Sequence, residues 1–353
     1  MNIGSAWLEG ARMAPSAHNT QPWRFAPQTD CILVRWESER MLLAGDPTLR
    51  DLYLSLGAAI ESACLASASA GDPLIFIPHP ESDERTVGSL LPCDDALDPN
   101  DLLLATSLET RHTARTAHSP RPVSSEVLLS LHEEARRGNC TLYVMVEREG
   151  IHRLARLARQ ATASQFADAA IHAELWQWLR LDAKAPAYRR DGLTADCLNL
   201  QGASLALARL TLPPTRMRWL RRVGLHHLLA FDAQWTMQRS ASLCLLTAPS
   251  ASRVDLLQTG RVLMRLWLMA AAAGLSTHPV SALLDCSTTM APTVAVFGAE
   301  QETPASLFRL GATPAVARAP RLPAEELLEV SSEDERSGCT ANHSEVRGGK
   351  TDE

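Results

Sequence analysis

Apolar and polar positions alternate along the 353-residue chain in a way that divides it into two stretches of similar make-up. From the N-terminus the pattern predicts a short helix over about residues 4–13 and an irregular loop, APSAHNTQPWRF (Ala14 to Phe25). Strand character follows from Trp23 to Trp36, then a helix from about Leu49 to Ala70 and an extended segment, PLIFIPHP. The acid-rich stretch Asp94 to Asp101 reads as a linker. Beyond it come a helix through Leu102 to Leu108, the basic run ETRHTARTAHSPRPV, and a helix from Ser125 to Arg136 whose Ser-Ser-Glu start suits an N-terminus. TLYVMVE is a strand by its β-branched and aromatic content. Residues 152–239 are mainly helical, with breaks at KAPAYRRDG and TLPPT. SLCLLTAP is a further strand, GRVLMRLWLMAAAAG a buried helix, and LFRLGATP a last strand before ARAPRLPAEELL. Residues 331–353 carry no apolar periodicity and are expected to be disordered.

Two segments match within the chain. GAAIESACLASASAG (Gly57 to Gly71) and GRVLMRLWLMAAAAG (Gly260 to Gly274) share length, bounding glycines and a small-residue finish, and each leads into a proline-marked extended segment. A duplicated unit of helix and strands accounts for this. The expected organisation is a first half over 1–100, a second half over 101–330 with a helical, lid-like insertion at about 152–240, and a tail over 331–353.

Composition narrows the function classes. Hydrophobic residues at 46% and charged residues at 21% are typical of globular proteins, and a net charge of -6 argues against a nucleic-acid partner. MNIGSAWLEGARM lacks the parts of a secretory signal. The apolar stretch around Leu263 to Leu275, beside Arg261 and interrupted by Arg265, is too short to cross a bilayer. These features predict a cytoplasmic protein with no membrane partner. The eight cysteines fall singly, without metal-site spacing, so free thiols and no metal are expected. The tail's GGKT lacks the earlier glycine of a phosphate loop, and no G-x-G-x-x-G follows a strand, so a nicotinamide site of the Rossmann kind is unsupported. Five arginines between Arg209 and Arg222 could mark a membrane-surface helix; a solvated basic face of the insertion is the preferred reading.

APSAHNTQPWRF closely resembles the APSxxNxQPW segment of the FMN-dependent nitroreductases. ETRHTARTAHSPRPV resembles that family's Arg-x-Ser/Thr-x-Lys/Arg opening with its following Pro-Val. AGLSTHPVSALLD is similar to the segment that runs under the flavin ring, and FRLGATP with ARAPRLPAEELL to the closing strand and basic tail. The order of these blocks over roughly residues 5–330, with the long middle section, is most similar to the single-chain, Acg-type members, in which two nitroreductase-like halves share one polypeptide. The resemblance implies an α+β fold of mostly antiparallel sheets flanked by helices, the two halves forming an intramolecular pseudo-dimer, alone as a monomer or within a homodimer. It implies FMN as cofactor, NAD(P)H as reductant, and a nitroaromatic, quinone or similar small-molecule acceptor. The alternative is a protein that stores FMN under a closed lid with little turnover.

In the dimeric family one chain supplies the loop and the other the basic opening. Here the first half has only the loop and the second only the opening, so one composite site is expected. By resemblance, Pro15, Ser16 and Ala17 permit close backbone approach to the ring, with hydrogen bonds from Ser16 and Asn19. Arg111 lies at the phosphate, Thr113 at the phosphate or ribityl hydroxyls, and Arg115 at the N1/O2 edge. Pro279, Ser281 and Ala282 pass along the flavin, and Arg318 or Arg321 reaches the phosphate. The chemistry agrees: a phosphate dianion suits a guanidinium fork, and a cation stabilises the negative charge of a reduced flavin. Gln21, Pro22 and Trp23 are expected to lock the loop onto its strand. No side-chain nucleophile or general base is expected. Trp178 to Gly202 reads either as a cover whose Trp178, Tyr188, Arg190 and Asp191 reach the site, or as a helix-loop-helix packed on the core.

Overall fold

Two four-stranded antiparallel sheets, each backed by a long apolar helix, carry the chain in the computed structural model, which describes residues 5–80, 85–94, 98–119, 121–224, 226–314 and 316–329. The first half comprises α1 (Ala6–Arg12), β1 (Trp23–Pro27), β2 (Ile32–Trp36), α2 (Arg50–Ser69), β3 (Leu74–Pro78) and β4 (Thr86–Pro92). Its strands lie in the order β1-β2-β4-β3. The single strand expected from Trp23 to Trp36 is a hairpin, because the polar QTDC step turns the chain, with the Gln28 amide bonded to the Cys31 carbonyl at 2.8 Å. β4 escapes the apolar pattern, since Gly88 and Ser89 interrupt it.

Next come α3 (Pro99–Thr106), which begins inside the expected linker under an Asp98 cap, α4 (Ser125–Arg137), capped by Ser124, and β5 (Thr141–Met145). The insertion holds α5 (Arg148–Ala167), α6 (Ala169–Trp178), β6 (Leu179–Arg180), β7 (Leu193–Thr194), α7 (Gly202–Thr211), α8 (Pro214–Arg222), α9 (His226–Leu229) and α10 (Phe231–Gln238). β8 (Ser242–Ala248), α11 (Arg253–Ala272), β9 (Ser276–Pro279), α12 (Ala282–Asp285), α13 (Ser287–Phe297) and β10 (Thr303–Gly311) complete the second half, with strand order β5-β8-β10-β9.

Both halves therefore run strand, strand, helix, strand, strand, and both sheets place these strands in the same spatial order. The insertion occupies the β5–β8 connection, where the first half has only the tight β1–β2 turn. α2 and α11, the two segments matched in the sequence, pack on one another. A Cβ on Gly57 would strike the Leu257 carbonyl, and one on Gly260 the Leu54 carbonyl. Leu54 and Leu257 each precede their own glycine by three positions, so the contact is self-complementary about a local two-fold, as in a symmetric dimer. Although α2 is long and apolar enough to cross a membrane by composition, 83% of that stretch is buried in the protein. Across the interface the buried Glu61 carboxylate accepts from Arg261 Nε at 2.8 Å and Arg265 Nη1 at 2.9 Å. Burial pushes its pKa up, but the two guanidiniums outweigh that and hold it below the ordinary value.

After β10 the chain crosses back to the first half, where Leu328 bridges Phe25 and Glu329 pairs with Arg35 and Arg85. This return carries residues 318–321 past the Ala14–Phe25 loop. Cys64, Cys93, Cys140, Cys197, Cys244 and Cys286 are free thiols as expected, whereas Cys31 is disulfide-bonded. The expected disordered tail, 331–353, lies outside the described residues.

Gly57→Ala and Gly260→Ala should each lower stability by about 2 kcal/mol, because the new methyl meets backbone that cannot rotate away. Urea unfolding of the two variants measures this.

Candidate functional site

The Ala14–Phe25 loop is held in a conformation its side chains resist. His18, Asn19 and Gln21 have φ of 47°, 56° and 53°, the left-handed region, which costs non-glycine residues about 1 kcal/mol or more each. Hydrogen bonds offset the strain. The Gln21 amide donates to Ser16 Oγ at 2.8 Å, closing the loop on itself. Asn19 Nδ2 donates to the carbonyls of Gly192 (3.1 Å) and Pro320 (2.9 Å), while its Oδ1 accepts from Arg321 Nη1 at 2.9 Å. Gln21 Nε2 donates to the Arg190 carbonyl at 3.0 Å, and its Oε1 accepts from the Leu322 amide at 2.9 Å. Asn19, expected to offer its amide to a ligand, thus gives both N–H groups to protein. Gln21, expected to lock the loop onto its strand, ties it instead to the insertion and to the returning tail. Trp23 is fully buried core.

The basic opening runs beside β9, with the Ala114 amide on the Thr277 carbonyl at 3.0 Å. That register turns Arg111 toward the loop, where Arg111 Nη2 and Arg321 Nη2 both donate to the Met13 carbonyl at 3.3 Å. Arg111 is buried, and among the described residues its Nε and Nη1, with Nε of Arg321, have no partner. Among the described residues no carboxylate pairs with Arg111, Arg318 or Arg321. Burial, then the charges of Arg321 and Arg318, push the Arg111 pKa down to about 9. Burial, with Arg12 and Arg318, pushes that of Arg321 to about 10. Three cations thus meet at one cleft, Arg111 buried, Arg321 half-buried and Arg318 exposed, with no carboxylate paired to them among the described residues.

They line a cleft of about 530 Å³, its open mouth included, together with Pro15, Ser16, Asn19, Thr113 and Arg115. Loop and opening therefore meet, and both Arg318 and Arg321 reach the cleft rather than one of them. Ala17 lies outside the lining and faces a small recess beside Ser55. Pro279, Ser281 and Ala282 are also absent from the lining. Pro279 pairs with Phe308, and Ser281 starts α12.

Arg115 is bonded to the Cys197 carbonyl at 3.4 Å, and burial lowers its pKa. Nearby, the fully buried Arg309 donates through Nε to Ser240 Oγ (2.8 Å), through Nη2 to the Thr116 carbonyl (2.9 Å) and through Nη1 to His278 Nδ1 (3.1 Å). A guanidinium can only donate, so neutral His278 carries its proton on Nε2. Burial first, and then the charges of Arg309, Arg115 and His118, keep this imidazole well below its ordinary pKa. Burial is also the main cause holding His18 at about 4, with Arg115 adding to it and Asp51 opposing.

Of the insertion's expected site residues none lines the cleft. Trp178 is buried near the Arg40 and Arg180 guanidiniums, and Tyr188 bonds Asp196 at 2.7 Å. Asp191 is gripped by Arg40 (3.1 Å) and Arg180 (2.7 Å), and Arg190 pairs with Glu326. The segment borders the site through backbone, at Gly192 and Cys197. The Met13 carbonyl and the Arg309–His278 pair are features the sequence did not disclose.

No family model matches the chain. It is 27% identical over 290 residues, 79% of either chain, to a Serratia protein described as "Probable NAD(P)H nitroreductase PigM". It is 24% identical over 329 residues to the Mycobacterium tuberculosis "Putative NAD(P)H nitroreductase acg", covering 92% of this chain and 94% of that one. The Acg-type resemblance read from spaced motifs thus extends along nearly the whole chain. Among solved structures, the FMN-dependent nitroreductase NfnB from Mycobacterium smegmatis in complex with NADPH covers 65% of this chain and 100% of its own at 20% identity. Its TM-score of 0.36 is too low to bear on the site.

Arg111→Ala should leave the stability of the ligand-free protein unchanged or raise it, since it removes a buried, unpaired charge, while abolishing the rise in melting temperature on adding inorganic phosphate. Asn19→Ala should cost about 2 kcal/mol by chemical denaturation, because it strands two carbonyls and part of Arg321.

Proposed function

We propose that this chain, a relative of the Acg-type nitroreductases, is an FMN-dependent oxidoreductase that takes hydride from NAD(P)H and delivers electrons to a small acceptor such as a nitroaromatic or a quinone. The observation that carries the proposal is the cluster of Arg111, Arg318 and Arg321 lining one cleft, without a carboxylate partner among the described residues, next to a strained loop whose Pro15, Ser16 and Asn19 line the same space. An anion of charge near minus two fits that cluster, and the guanidinium N–H groups without partners suit phosphate oxygens.

In this assignment Arg111, Arg318 and Arg321 hold the phosphate. Thr113 and Ser16 offer hydroxyls to the polyol chain; Ser16 Oγ already accepts from Gln21, so its own proton is free to be donated. Arg115 provides a positive charge without a carboxylate partner among the described residues, and such a charge favours the reduced, more negative form of a ring held against it. FMN bound here would supply the two-electron chemistry between nicotinamide and acceptor. On the insertion side the carbonyls of Gly192 and Cys197 fix Asn19 and Arg115 in place. Neutral His278, held by Arg309, adds no further charge beside Arg115.

A second reading, storage of FMN under a closed cover, draws on the latches that hold residues 190–192 down: Asn19 to Gly192, Gln21 to Arg190 and Arg40 to Asp191.

Anaerobic mixing of the FMN-loaded protein with NADPH or NADH decides between them. Rapid bleaching, reversed by a nitroaromatic or quinone, is the expected result. Yellow protein that does not bleach points to storage, and protein that takes up no FMN defeats both. Arg115→Ala should lower the flavin potential and slow bleaching; an unchanged potential removes Arg115 from the ring edge.

A further inference from the structure

Half of the fourteen large apolar side chains exposed among the described residues fall within residues 207–235. They are Leu207 and Leu210 on α7, Trp219 and Val223 on and after α8, Leu228 on α9, and Phe231 and Trp235 on α10. Trp219 is 58% and Val223 76% accessible. Successive helices in this series pack on one another, so the apolar groups share one region of the insertion. Residues 202–239 also hold six arginines against a single carboxylate, Asp232, in a chain whose net charge is -6. Among the described residues none of these arginines forms an ion pair, while arginines elsewhere, such as Arg40, Arg50 and Arg265, are paired with carboxylates. Arg209 is tied to the Leu181 carbonyl and Arg221 to those of Phe166 and Asp168, while other guanidiniums lie over exposed rings: Arg222 over Trp219 at 4.4 Å, Arg239 over Trp235 at 3.9 Å, and Arg159 of α5 over Phe231 at 3.5 Å.

A solvated basic face, the sequence-based expectation, accounts for the arginines but not for the leucines, valine and indoles beside them. An apolar patch of this kind marks an interaction surface. A second copy docked symmetrically would set arginines against arginines with one aspartate per copy to compensate. A nucleic acid would meet the charge but gives Leu207, Leu210, Val223 and Leu228 nothing apolar to enter. A phospholipid surface of net negative charge satisfies both: acyl chains receive the apolar side chains, indoles sit at headgroup level, and arginines meet phosphates.

We propose that the α7–α10 face of the insertion docks the protein on an anionic lipid surface. This rests on exposure and charge outside the cleft and is independent of what the cleft binds.

The test is co-sedimentation of the full-length protein with vesicles of phosphatidylcholine alone, and of phosphatidylcholine and phosphatidylglycerol in equal parts. The protein should pellet with the anionic vesicles, much less with the neutral ones, and be released by added salt. Joint replacement Arg218→Glu and Arg222→Glu should weaken partitioning at least about tenfold, and Trp219→Ala with Val223→Ser should weaken it independently through lost insertion. These positions are exposed, so far-UV circular dichroism and melting temperature should not change. Failure to pellet with anionic vesicles overturns the proposal, as does equal pelleting of wild type and both variants. Light scattering that shows a stable dimer, dispersed by the same replacements, would assign the face to a second copy instead.

Discussion

Backbone contact between α2 and α11 at Gly57 and Gly260 is the constraint on which the remainder depends. Two helices can approach so closely only where neither carries a side chain, and here each glycine sits against a carbonyl of the opposite helix. The contact is the same in both directions, so it orients the halves as a two-fold would. That orientation sets the loop of the first half against the basic opening of the second. The Glu61–Arg261–Arg265 group ties the same interface electrostatically, with its buried carboxylate satisfied by two guanidiniums. An ion pair desolvated to this degree adds little net stability but penalises any other register, because slippage would strand the charge.

Two separate costs meet in the composite cleft. Three non-glycine residues hold left-handed backbone, and three arginines come together with no carboxylate paired to them among the described residues. Each cost is sustained by contacts from elsewhere. Asn19 and Gln21 bind the loop to the insertion and the tail, and the Met13 carbonyl receives two of the arginines. Preorganisation of this sort lowers what a ligand must supply on binding, because repulsion and ordering are already met during folding. It also makes the tail part of the site, since Arg321 and Leu322 both anchor the loop.

The insertion serves two surfaces. On its inner side, Gly192 and Cys197 touch the loop and Arg115 with backbone, while Asp191 is gripped by Arg40 and Arg180. Its outer side leaves arginines and large apolar groups uncovered. A segment inserted between two paired strands is tethered at both ends to the second sheet, so it can add a surface without disturbing the duplicated framework. Arg309 is part of that framework: from β10 it reaches Ser240, Thr116 and His278, joining the end of the insertion, the basic opening and β9.

Local chemistry wrote much of this protein into its sequence. Apolar periodicity located α2 and α11, and their shared glycines announced the duplication; Pro15 to Gln21 and Arg111 to Arg115 stood out by their resemblance to a family's motifs. The first two signals depend on neighbours along the chain, a helix period and a glycine at a crossing. What only the tertiary structure decided are matters of partnership. In one dimension Asn19 looks like a ligand-binding amide and Gln21 like a lock between loop and strand; in three both become ties to residues 190–192 and 320–322. The carbonyl of Met13 acquires its role from where the backbone points, which residue type does not encode. β4 was hidden because its edges pair with β2 and β3 rather than following an apolar alternation of its own. The arginines of α8 look merely solvated until the exposure of their apolar neighbours is known. A sequence states which groups a chain possesses, but which of them find a partner is settled by packing between segments far apart in it.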